Sequence, residues 1–456
     1  MPFILPANTL SAGGYDVANS LRFNSASADY ISKTYGTPTS TQKWTASFWM
    51  KRSELGREQH IFGGTSPSQC YFVSNDTLRF ADTTAGTNYY TTQVFRDTSA
   101  WYHFVIAVDT TLGTAGDRAR IYVNGSEITS FSTETNATQN NNSAYNVAST
   151  LYAIGRYNPS QSSNYYFGGY YSEICFIDGS QLAADSFGEF DEDSGIWKPI
   201  NVSGLTFGNN GYYLEFKQAG TGTDANGMGA DTSGNTNHFA VNNLTAVDQS
   251  TDTCTNNFST LNPLFATQNP GTLTEGNTIY TSSTTAWGGT GSTFGLSQGK
   301  WYWEGKIKFD NPGGHFFGVI DETVNVNNNP HQRTGSTLFY GGGQMYKDGS
   351  GSGSYGTFSN GDVMGFALNL DDNVISIYKN GSAFVTNFAL STTRNTLFVW
   401  VMAYNSGADF VKVNFGGSPP FAISSSNADG NGYGNFEHAP PSGYYSICSK
   451  NLAEYG

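Results

Sequence analysis

Short runs of alternating apolar and polar residues recur along this chain, separated by clusters of Gly, Asn and Ser. Alternation with a period of two is typical of a half-buried β-strand, because successive side chains point to opposite faces of a sheet. The best examples are Trp44–Met50, Tyr102–Val108, Tyr170–Ile177, Trp301–Phe309, Phe316–Ile320, Val363–Leu370, Val374–Lys379 and Leu397–Ala403. Many short strands with polar turns between them predict an all-β protein built from sandwiches or barrels.

One hairpin sequence occurs twice in the chain. Ile121–Ser126 reads IYVNGS, and Ile377–Ser382 reads IYKNGS. A β-branched and aromatic run that ends in Asn-Gly predicts a hairpin, because Asn and Gly accept the positive φ angles of a type I′ turn. The occurrence of this turn in both halves predicts two domains built from related all-β sheets.

The composition supports β-structure and excludes one class of partner. The chain has 456 residues, of which only 13% are charged, with 54 Gly, 28 Tyr and 32 Phe. Long helices need many more Glu, Lys, Arg and Leu residues than this chain contains. The net charge of −14, with no basic run to offset it, disfavours contact with a phosphate backbone. We therefore expect no nucleic-acid partner.

The cysteines and the N-terminus exclude further classes. The four cysteines, Cys70, Cys175, Cys254 and Cys448, are far apart in the sequence, so we expect isolated thiols rather than a disulfide scaffold or a zinc site. The opening residues MPFILPANTL lack the basic start and long apolar run of a signal peptide, and no stretch approaches the length of a transmembrane helix. We expect neither a signal peptide nor membrane insertion.

Changes in composition predict five segments. These are an N-terminal arm (1–19), a first sandwich (20–190), a Gly/Asn/Thr-rich structured connector (191–268), a second sandwich (269–416) and a Pro-containing C-terminal tail (417–456). The tail contains Pro419-Pro420 and Pro440-Pro441. Because proline pairs disfavour helices and central strands, we expect the tail to lie across a surface.

The first predicted sandwich carries short motifs in a recognisable order. They are Ser47-Phe48-Trp49, Trp101-Tyr102-His103, Arg120–Gly125, Ile154-Gly155-Arg156 and Phe167–Asp178. In order and spacing these pieces resemble the laminin-G-like, concanavalin-type jelly roll over roughly 160 residues. The resemblance implies that the apolar positions fill a sandwich and that Asn-Gly closes a hairpin.

The second predicted sandwich resembles a SPRY (B30.2-like) domain, which is also a concanavalin-like sandwich. The motifs that carry the resemblance are Gly299–Glu304 (GKWYWE), Gly318-Val319, Asn360–Gly365 (NGDVMG) and Ile377–Gly381 (IYKNG). The expected fold is therefore two concanavalin-like jelly-roll β-sandwiches joined by an irregular connector. The shared hairpin then reflects a shared jelly-roll topology.

Two further segments, Asp231–Pro263 and Pro441–Leu452, resemble segments of tail-fibre and appendage proteins of marine bacteriophages. The resemblance implies a structural virion protein that displays carbohydrate-binding-type domains for recognition of a bacterial surface polysaccharide. It also implies other virion proteins as partners, a homo-oligomer with a trimer as the expected form, and assembly in the host cytoplasm. The alternatives are a capsid decoration or adaptor with protein–protein roles only, and a glycan-degrading depolymerase.

No catalytic residue is predicted. Glu189, Asp191 and Asp193 alternate as in concanavalin-fold glucanases, but Ser194 and Gly195 follow where the glucanase pattern has a second Glu. A retaining glycosidase needs two carboxyl groups that flank the scissile bond, and this segment follows the last predicted strand of the first sandwich. The six histidines show no metal-ligand spacing. We expect solvated acidic residues and a protein that is not an enzyme.

The predicted connector contains one candidate for a metal ion. Calcium takes six to eight oxygen ligands from loops of this kind. The oxygen-bearing residues are Asp224, Asn226, Asp231, Ser233 and Asn235. The alternative is a set of Asx-turns that hold an irregular segment together. No other cofactor is expected.

Two aromatic clusters are the candidate ligand-binding sites, because sugar rings stack on tyrosine and their hydroxyls pair with polar side chains. The first consists of Tyr157, Tyr165 and Tyr166. The second and preferred one consists of Tyr340, Gln344, Tyr346, Asp348 and Tyr355. Tyrosine also fills sheet faces and subunit interfaces without any ligand, and that alternative remains open for both clusters. Trp49 and Trp301 are expected to be core residues rather than binding platforms.

Overall fold

The computed structural model describes residues 14–64, 68–157, 165–282, 286–308, 314–327, 329–404 and 410–456. Its regular structure is almost entirely β, which confirms the predicted fold class. The described residues contain one α-helix, α1 (Ser449–Tyr455), and several single 3₁₀ turns. The described residues form two compact units, one that ends at Thr255 and one that begins at Asn256.

The first unit is built from antiparallel strands. They are β1 (Ser20–Phe23), β2 (Tyr30–Thr34), β3 (Lys43–Arg52), β4 (Gln59–Gly63), β5 (Ser68–Phe72), β6 (Thr77–Asp82), β7 (Thr87–Val94), β8 (Trp101–Asp109), β9 (Ala119–Val123), β10 (Ser126–Glu127), β11 (Phe131–Thr135), β12 (Leu151–Ile154), β13 (Gly169–Asp178), β14 (Gly188–Phe190), β15 (Trp197–Pro199), β16 (Tyr212–Leu214), β17 (Ala240–Asn242) and β18 (Gln249–Ser250). The first sheet has the order β10-β9-β8-β3-β13-β1-β18, with β16 beside β13. The second sheet has the order β11-β7-β6-β5-β4-β12-β2-β17, and β14 and β15 form a separate ribbon.

The core of the first unit draws aromatic side chains from both sheets. Trp44 of β3 lies 6.0 Å from Phe80 of β6, and Phe48 of β3 lies 5.9 Å from Phe62 of β4, measured between ring centroids. The outer side of the first sheet is also covered, because Phe187, Val202 and Phe207 pack there in a second buried cluster. The outer side of the second sheet presents partly exposed polar and aromatic residues instead.

The predicted connector does not form a separate segment. Its strands β16, β17 and β18 extend the two sheets of the first unit by pairing with β13, β2 and β1. The reason lies in side chains such as Tyr212, whose ring stacks on that of Phe176 in the core at 5.6 Å. The remainder of this segment, from Asn256, belongs to the second unit.

The second unit is also a pair of sheets. Its strands are β19 (Leu261–Ala266), β20 (Thr272–Thr274), β21 (Ile279–Thr281), β22 (Trp287–Leu296), β23 (Lys300–Lys308), β24 (His315–Asp321), β25 (Ser336–Tyr340), β26 (Gln344–Lys347), β27 (Ser350–Ser352), β28 (Val363–Asn369), β29 (Val374–Lys379), β30 (Ser382–Ala389), β31 (Leu397–Tyr404), β32 (Phe410–Asn414) and β33 (Tyr445–Ser446). One sheet has the order β19-β22-β31-β24-β25-β26-β27. The other has the order β20-β21-β32-β23-β28-β29-β30, and β33 lies parallel to β23.

The C-terminal segment is part of the second core rather than a surface tail. Ile447 and Leu452 are buried within the main apolar cluster of this unit. The buried carboxylate of Glu304 on β23 accepts hydrogen bonds from the backbone N–H groups of Glu437 and His438 at 2.9 and 2.8 Å. The proline pairs exclude regular structure only locally, and the apolar residues that follow them are free to enter the core.

The two Asn-Gly hairpins have the predicted conformation. Asn124 and Gly125 have φ angles of +47° and +81°, and Asn380 and Gly381 have φ angles of +50° and +78°. Each asparagine also accepts a backbone hydrogen bond through Oδ1, Asn124 from His103 at 2.8 Å and Asn380 from Val363 at 2.9 Å. The turn sequence therefore serves two purposes, a positive φ angle and an acceptor for the neighbouring strand.

The two tryptophans predicted to be core residues are buried, with Trp49 4% and Trp301 0% exposed. Trp301 lies in the main core of the second unit. Trp49 lies in a smaller cluster with Trp101 and Tyr170, and its ring stacks on His103 at 4.8 Å.

Candidate functional site

Four polar or aromatic side chains form a row across the second sheet of the first unit. His60 on β4 is opposite Tyr71 on β5, Tyr71 is opposite Arg79 on β6, and Arg79 is opposite Tyr90 on β7. Residues opposite each other in antiparallel strands lie side by side on one face of the sheet. These four residues therefore form a continuous line at right angles to the strands.

The sequence places this row on the outer face of the sheet. The residues that alternate with it, Ile61, Cys70, Phe80 and Tyr89, all belong to the buried core cluster. Because side chains alternate between faces along a strand, the intervening positions point away from that core. The same face also receives Gln69 of β5 and Asn88 of β7, which flank the row.

Arg79 is the centre of the row. Its guanidinium carbon lies 5.4 Å from the ring centroid of Tyr71 and 5.0 Å from that of Tyr90. Nη1 donates to the Tyr71 hydroxyl at 2.7 Å and to Oε1 of Gln69 at 3.0 Å, and Nε donates to Oδ1 of Asn88 at 3.0 Å. Two rings and three hydrogen bonds therefore hold the guanidinium in one orientation.

Only part of the row is accessible to a ligand. His60 and Tyr71 are 2% and 7% exposed, and their rings stack with a centroid separation of 4.5 Å. Arg79 and Tyr90 are half-buried, as are Gln69 and Asn88. The half-buried residues therefore present polar groups to a ligand, and the buried rings of His60 and Tyr71 support them.

The predicted cluster of Tyr157, Tyr165 and Tyr166 is divided by the structure. The rings of Tyr157 and Tyr165 both pack against His60, at 4.6 and 5.5 Å, and Gln69 donates to the Tyr157 hydroxyl at 3.3 Å. Tyr165 is 40% exposed. Tyr166 packs elsewhere, near Tyr30 and the guanidinium of Arg156. We call the set His60, Gln69, Tyr71, Arg79, Asn88, Tyr90, Tyr157 and Tyr165 the Arg79 face.

His60 contributes a ring but no positive charge at neutral pH. Burial lowers the pKa of His60, and the charge of Arg79 lowers it further, while Glu58 acts in the opposite direction. Oε1 of Glu58 lies 2.9 Å from Nε2 of His60. Among the described residues of the row and its contacts, the charged groups are therefore the Glu58 carboxylate beside His60 and the Arg79 guanidinium farther along the row.

The sequence prediction missed most of the Arg79 face. The signal was present as polar and aromatic residues at alternate positions of four successive strands, at His60, Gln69, Arg79 and Asn88 among others. Each strand has only one or two such positions, and they form a surface only once the strand register is known. The two tyrosines found in advance, Tyr157 and Tyr165, were found because they are close in sequence.

The preferred cluster of the second unit is also divided. Tyr340 and Tyr346 lie 5.6 Å apart on neighbouring strands and pack on the ring of Phe316 at 4.9 and 5.0 Å. Trp287 packs on the same Phe316 ring at 5.2 Å, and Tyr404, 43% exposed, lies 5.3 Å from Trp287. These five rings form an aromatic patch on the outer side of one sheet of the second unit.

The other three residues predicted for that cluster have different environments. Asp348 has a φ angle of +52° in the turn between β26 and β27, and its Oδ1 accepts from the Gly335 N–H at 2.9 Å and the Ser391 hydroxyl at 2.6 Å. Tyr355 packs against the main core. Gln344 is exposed at the start of β26. Asp348 and Tyr355 therefore have structural contacts that account for their positions.

The oxygen-rich residues considered for calcium form Asx-turns. The Asp231 carboxylate accepts from the backbone N–H groups of Tyr213, Ser233 and Asn237 and from the Ser233 hydroxyl, at 2.7 to 2.9 Å. Asp224 accepts from the N–H of Asn226 at 2.7 Å. The Asn235 side-chain amide donates to two backbone carbonyl oxygens, of Gly208 and Gly211. Among the described residues, no group of three or more His, Cys, Asp or Glu side chains is arranged to hold a metal ion.

The acidic segment near Glu189 forms part of the β14–β15 ribbon. Lys198 Nζ lies 3.3 Å from the Glu189 carboxylate and 3.1 Å from that of Asp191. The Glu189 side chain is 59% exposed, whereas Asp191 is buried and its Oδ1 accepts from the N–H groups of Asp193 and Ser194. Asp191 therefore closes a turn, and Lys198 pairs with both carboxylates.

Comparison with known protein families identifies two domains. Residues 25–183 match the model of the concanavalin A-like lectin/glucanases superfamily, and residues 300–418 match the SPRY domain model. The chain thus carries a laminin-G-like, concanavalin-type domain followed by a SPRY domain. No curated protein matches the chain. Within the described residues, no helix has the length and apolar character needed to cross a membrane.

Three solved structures illustrate the range of similar proteins. The SPRY domain of human HERC1 is 26% identical, with 34% of this chain and 96% of that chain covered and a TM-score of 0.29. A putative carbohydrate binding protein from Bacteroides ovatus is 17% identical, with 50% and 59% covered and a TM-score of 0.38. A SAP-like pentraxin from Limulus polyphemus is 14% identical, with 37% and 80% covered and a TM-score of 0.27.

Proposed function

We propose that this protein recognises a glycan without chemical change and that the Arg79 face is the site of recognition. The observation that carries the proposal is Arg79 held between Tyr71 and Tyr90, with Gln69 and Asn88 beside it. Sugars offer apolar ring faces and many hydroxyl groups. A surface that combines partly exposed tyrosine rings with oriented amide and guanidinium groups matches both features.

The fold supports this choice of face. The outer side of the first sheet is covered by Phe187, Val202 and Phe207, so its side chains are buried among other residues of the unit. The second sheet leaves Gln69, Arg79, Asn88 and Tyr90 half-buried at its outer surface. The family match of residues 25–183 includes lectins in its name and covers strands β4 to β7 of this sheet, which carry the row.

The biological setting is the second part of the proposal. The segments Asp231–Pro263 and Pro441–Leu452 resemble those of bacteriophage appendage proteins, and we propose that the chain is a structural component of a phage tail fibre, spike or other appendage. It would then bind a bacterial surface polysaccharide, contact other virion proteins and assemble as a homo-oligomer, with a trimer as the expected form. Several copies on one particle would raise a weak single-site affinity through effective concentration.

Two measurements test the two parts separately. Purified protein on an array of bacterial polysaccharides should bind a subset of them, and the double variant Asn88→Ala/Tyr90→Ala should lose that binding while it keeps its far-UV spectrum. Immunogold labelling of purified particles with an antibody against the protein should mark an appendage. Binding that is unchanged in the double variant would reject the Arg79 face, and particles without label would reject the virion role.

A protein–protein role is the second candidate function. It is favoured by the aromatic patch of the second unit, Phe316, Trp287, Tyr340, Tyr346 and Tyr404, since partly exposed aromatic rings are enriched at protein interfaces. In that case the protein would act as an adaptor or decoration. The variant Tyr346→Ala/Tyr404→Ala should then weaken incorporation into particles, and it should leave polysaccharide binding unchanged.

A further inference from the structure

We propose that the ligand of the Arg79 face carries an anionic group, a sugar carboxylate or a sulfate ester, that binds the Arg79 guanidinium. This inference rests on the proposed function of the same face and adds the chemical class of the ligand. Three observations support it: the absence of a described carboxylate beside Arg79, the orientation of its donors, and the charge of the surrounding protein.

The charge of Arg79 has no acidic partner among the described residues. All its hydrogen-bond acceptors are neutral oxygens, those of Gln69, Tyr71 and Asn88. The neighbouring segments outside the described residues, 65–67 (TSP) and 158–164 (NPSQSSN), contain no Asp or Glu in their sequence. A permanent positive charge at the centre of this face is thus balanced by no carboxylate of the face itself.

Several other arginines of the first unit have a carboxylate partner. Arg22 pairs with Asp248 at 2.9 Å, and Arg52 pairs with Asp76 at 3.1 Å. The chain has 36 acidic and 22 basic residues, so carboxylates are available in excess. Arg118 is also held by neutral groups, but its Nε, Nη1 and Nη2 all donate to backbone carbonyl oxygens. Arg79 differs because its Nη2 donates to no described residue, so that its counter-charge is left for a ligand to supply.

The donors of Arg79 are arranged for such a ligand. Nη1 and Nε are occupied, whereas Nη2 makes no hydrogen bond to the described residues. The rings of Tyr71 and Tyr90 and the three hydrogen bonds fix the plane of the guanidinium before a ligand arrives. Binding then costs little side-chain entropy, and a charge-assisted hydrogen bond to an anion is stronger than one to a hydroxyl.

Among the described residues, the one carboxylate associated with this face lies beside His60, at one end of the row. Glu58 is bonded to His60, and the stacked rings of His60 and Tyr71 separate that pair from the guanidinium. The row is therefore negative beside His60 and positive at Arg79. An anionic group is expected at Arg79, beside Asn88 and Tyr90, and neutral hydroxyls are expected near Tyr157 and Tyr165.

The experiment compares polymers that differ only in charge. Binding of the full chain is measured to polygalacturonate and to the same polymer after carboxyl reduction, and to dextran sulfate and dextran. We expect retention on one acidic polymer and not on its neutral counterpart, with weaker binding at high salt. The carboxylate and sulfate pairs show which anion is preferred.

The variants separate a specific site from general charge. Arg79→Gln should weaken acidic-polymer binding by about tenfold or more, because a charge-assisted hydrogen bond is lost. Arg79→Lys keeps the charge and should retain part of the binding. Arg120→Gln on β9 of the other sheet removes the same charge from an ion pair with Asp117 and should bind as the wild type does. Thermal unfolding confirms that each variant is folded.

Each remaining outcome overturns the inference in a recognisable way. Equal binding of the acidic and neutral forms, unchanged in Arg79→Gln, rejects the anionic ligand and leaves glycan recognition standing. An equal loss of acidic-polymer binding in Arg79→Gln and Arg120→Gln rejects a specific anion site. Absence of binding to all four polymers and to the polysaccharide array rejects both the inference and the proposed function.

Discussion

Asn380 exchanges two hydrogen bonds with Val363, by donating its backbone N–H to the Val363 carbonyl at 2.8 Å and accepting the Val363 N–H through Oδ1 at 2.9 Å. The asparagine also has a φ angle of +50°. Asn124 makes the same pair of hydrogen bonds with His103. One residue type therefore meets a conformational and a hydrogen-bonding requirement together, which explains why the hairpin sequence recurs.

The first prediction separates these two requirements at Asn380. Asn380→Gly retains easy access to positive φ and loses the acceptor, so we expect a loss of about 1 kcal/mol in the free energy of unfolding. Asn380→Ala loses both the easy access to positive φ and the acceptor, and it should lower the free energy of unfolding by about 1 kcal/mol more. Urea titrations of the two variants give the comparison. A cost for alanine no larger than that for glycine would contradict the conformational part of the argument.

The second prediction concerns the buried carboxylate of Glu304. It accepts four hydrogen bonds, from the N–H groups of Glu437 and His438, the Tyr302 hydroxyl and the Asn414 side-chain amide. In Glu304→Gln the amide NH₂ would face at least one backbone N–H, which leaves buried donors unpaired. We expect a loss of about 2–3 kcal/mol in the free energy of unfolding and earlier proteolysis of the C-terminal segment.

Glu322→Gln is the control for that experiment, because the Glu322 side chain is partly exposed and makes no side-chain hydrogen bond among the described residues. Its unfolding free energy should stay within about 0.5 kcal/mol of the wild type. If Glu304→Gln lowered the unfolding free energy no more than Glu322→Gln does, the attachment of the C-terminal segment would depend on its apolar contacts alone.

The parts of the fold that the sequence predicts are those whose pattern lies within a short stretch of residues. The long strands and both Asn-Gly hairpins were predicted because their patterns lie within ten residues of sequence. The strands β17 and β18 were missed, since strands of two or three residues among Gly and Asn carry no periodicity. β16 lies within Gly211–Phe216 (GYYLEF), whose sequence predicts a strand, but its place beside β13 depends on a distant contact, the stacking of Tyr212 on Phe176.

The candidate site was harder to predict for the same reason. Tyr340 and Tyr346 meet because β25 and β26 pair, whereas Tyr355 lies beyond them and turns to the core. Because the three tyrosines are close in sequence, they were predicted to form one cluster, and that prediction was wrong for Tyr355. Arg79 contacts Gln69, Asn88 and Tyr90 from neighbouring strands, and only the register of three strands reveals that arrangement.

The third prediction concerns pH and Glu173. Burial and, to a smaller extent, the charge of Glu215 raise the pKa of Glu173 to about 7, against the hydrogen bonds donated by Tyr213 and Tyr15. Between pH 4.5 and 7 the native state binds a proton that the unfolded state does not. Wild-type stability should therefore fall as the pH rises through this range, by up to about 3 kcal/mol.

Glu173→Gln removes this titration, and the tyrosine hydroxyls can donate to or accept from the amide. The variant should gain stability relative to the wild type at pH 8 and gain little at pH 5. Glu189→Gln, at a carboxylate whose side chain is 59% exposed, should keep the wild-type pH dependence. Parallel stability curves for Glu173→Gln and the wild type between pH 5 and 8 would show that Glu173 is ionised without cost in the folded protein.

The last prediction separates binding from stability on the Arg79 face. Tyr165 is 40% exposed and packs at the edge of His60 and Tyr157, so Tyr165→Ala should lower the unfolding free energy by less than about 1 kcal/mol. If its ring stacks on a sugar, the same variant should weaken binding to the array polysaccharide about tenfold.

Tyr152 is the control. It lies on strand β12, which is adjacent to β4, is 3% exposed and faces the core, so Tyr152→Ala should lower the unfolding free energy by about 3–5 kcal/mol. Denaturant titration and binding measured on the same preparations distinguish the two tyrosines, and full binding by Tyr165→Ala would place the sugar nearer to Tyr90 and Asn88.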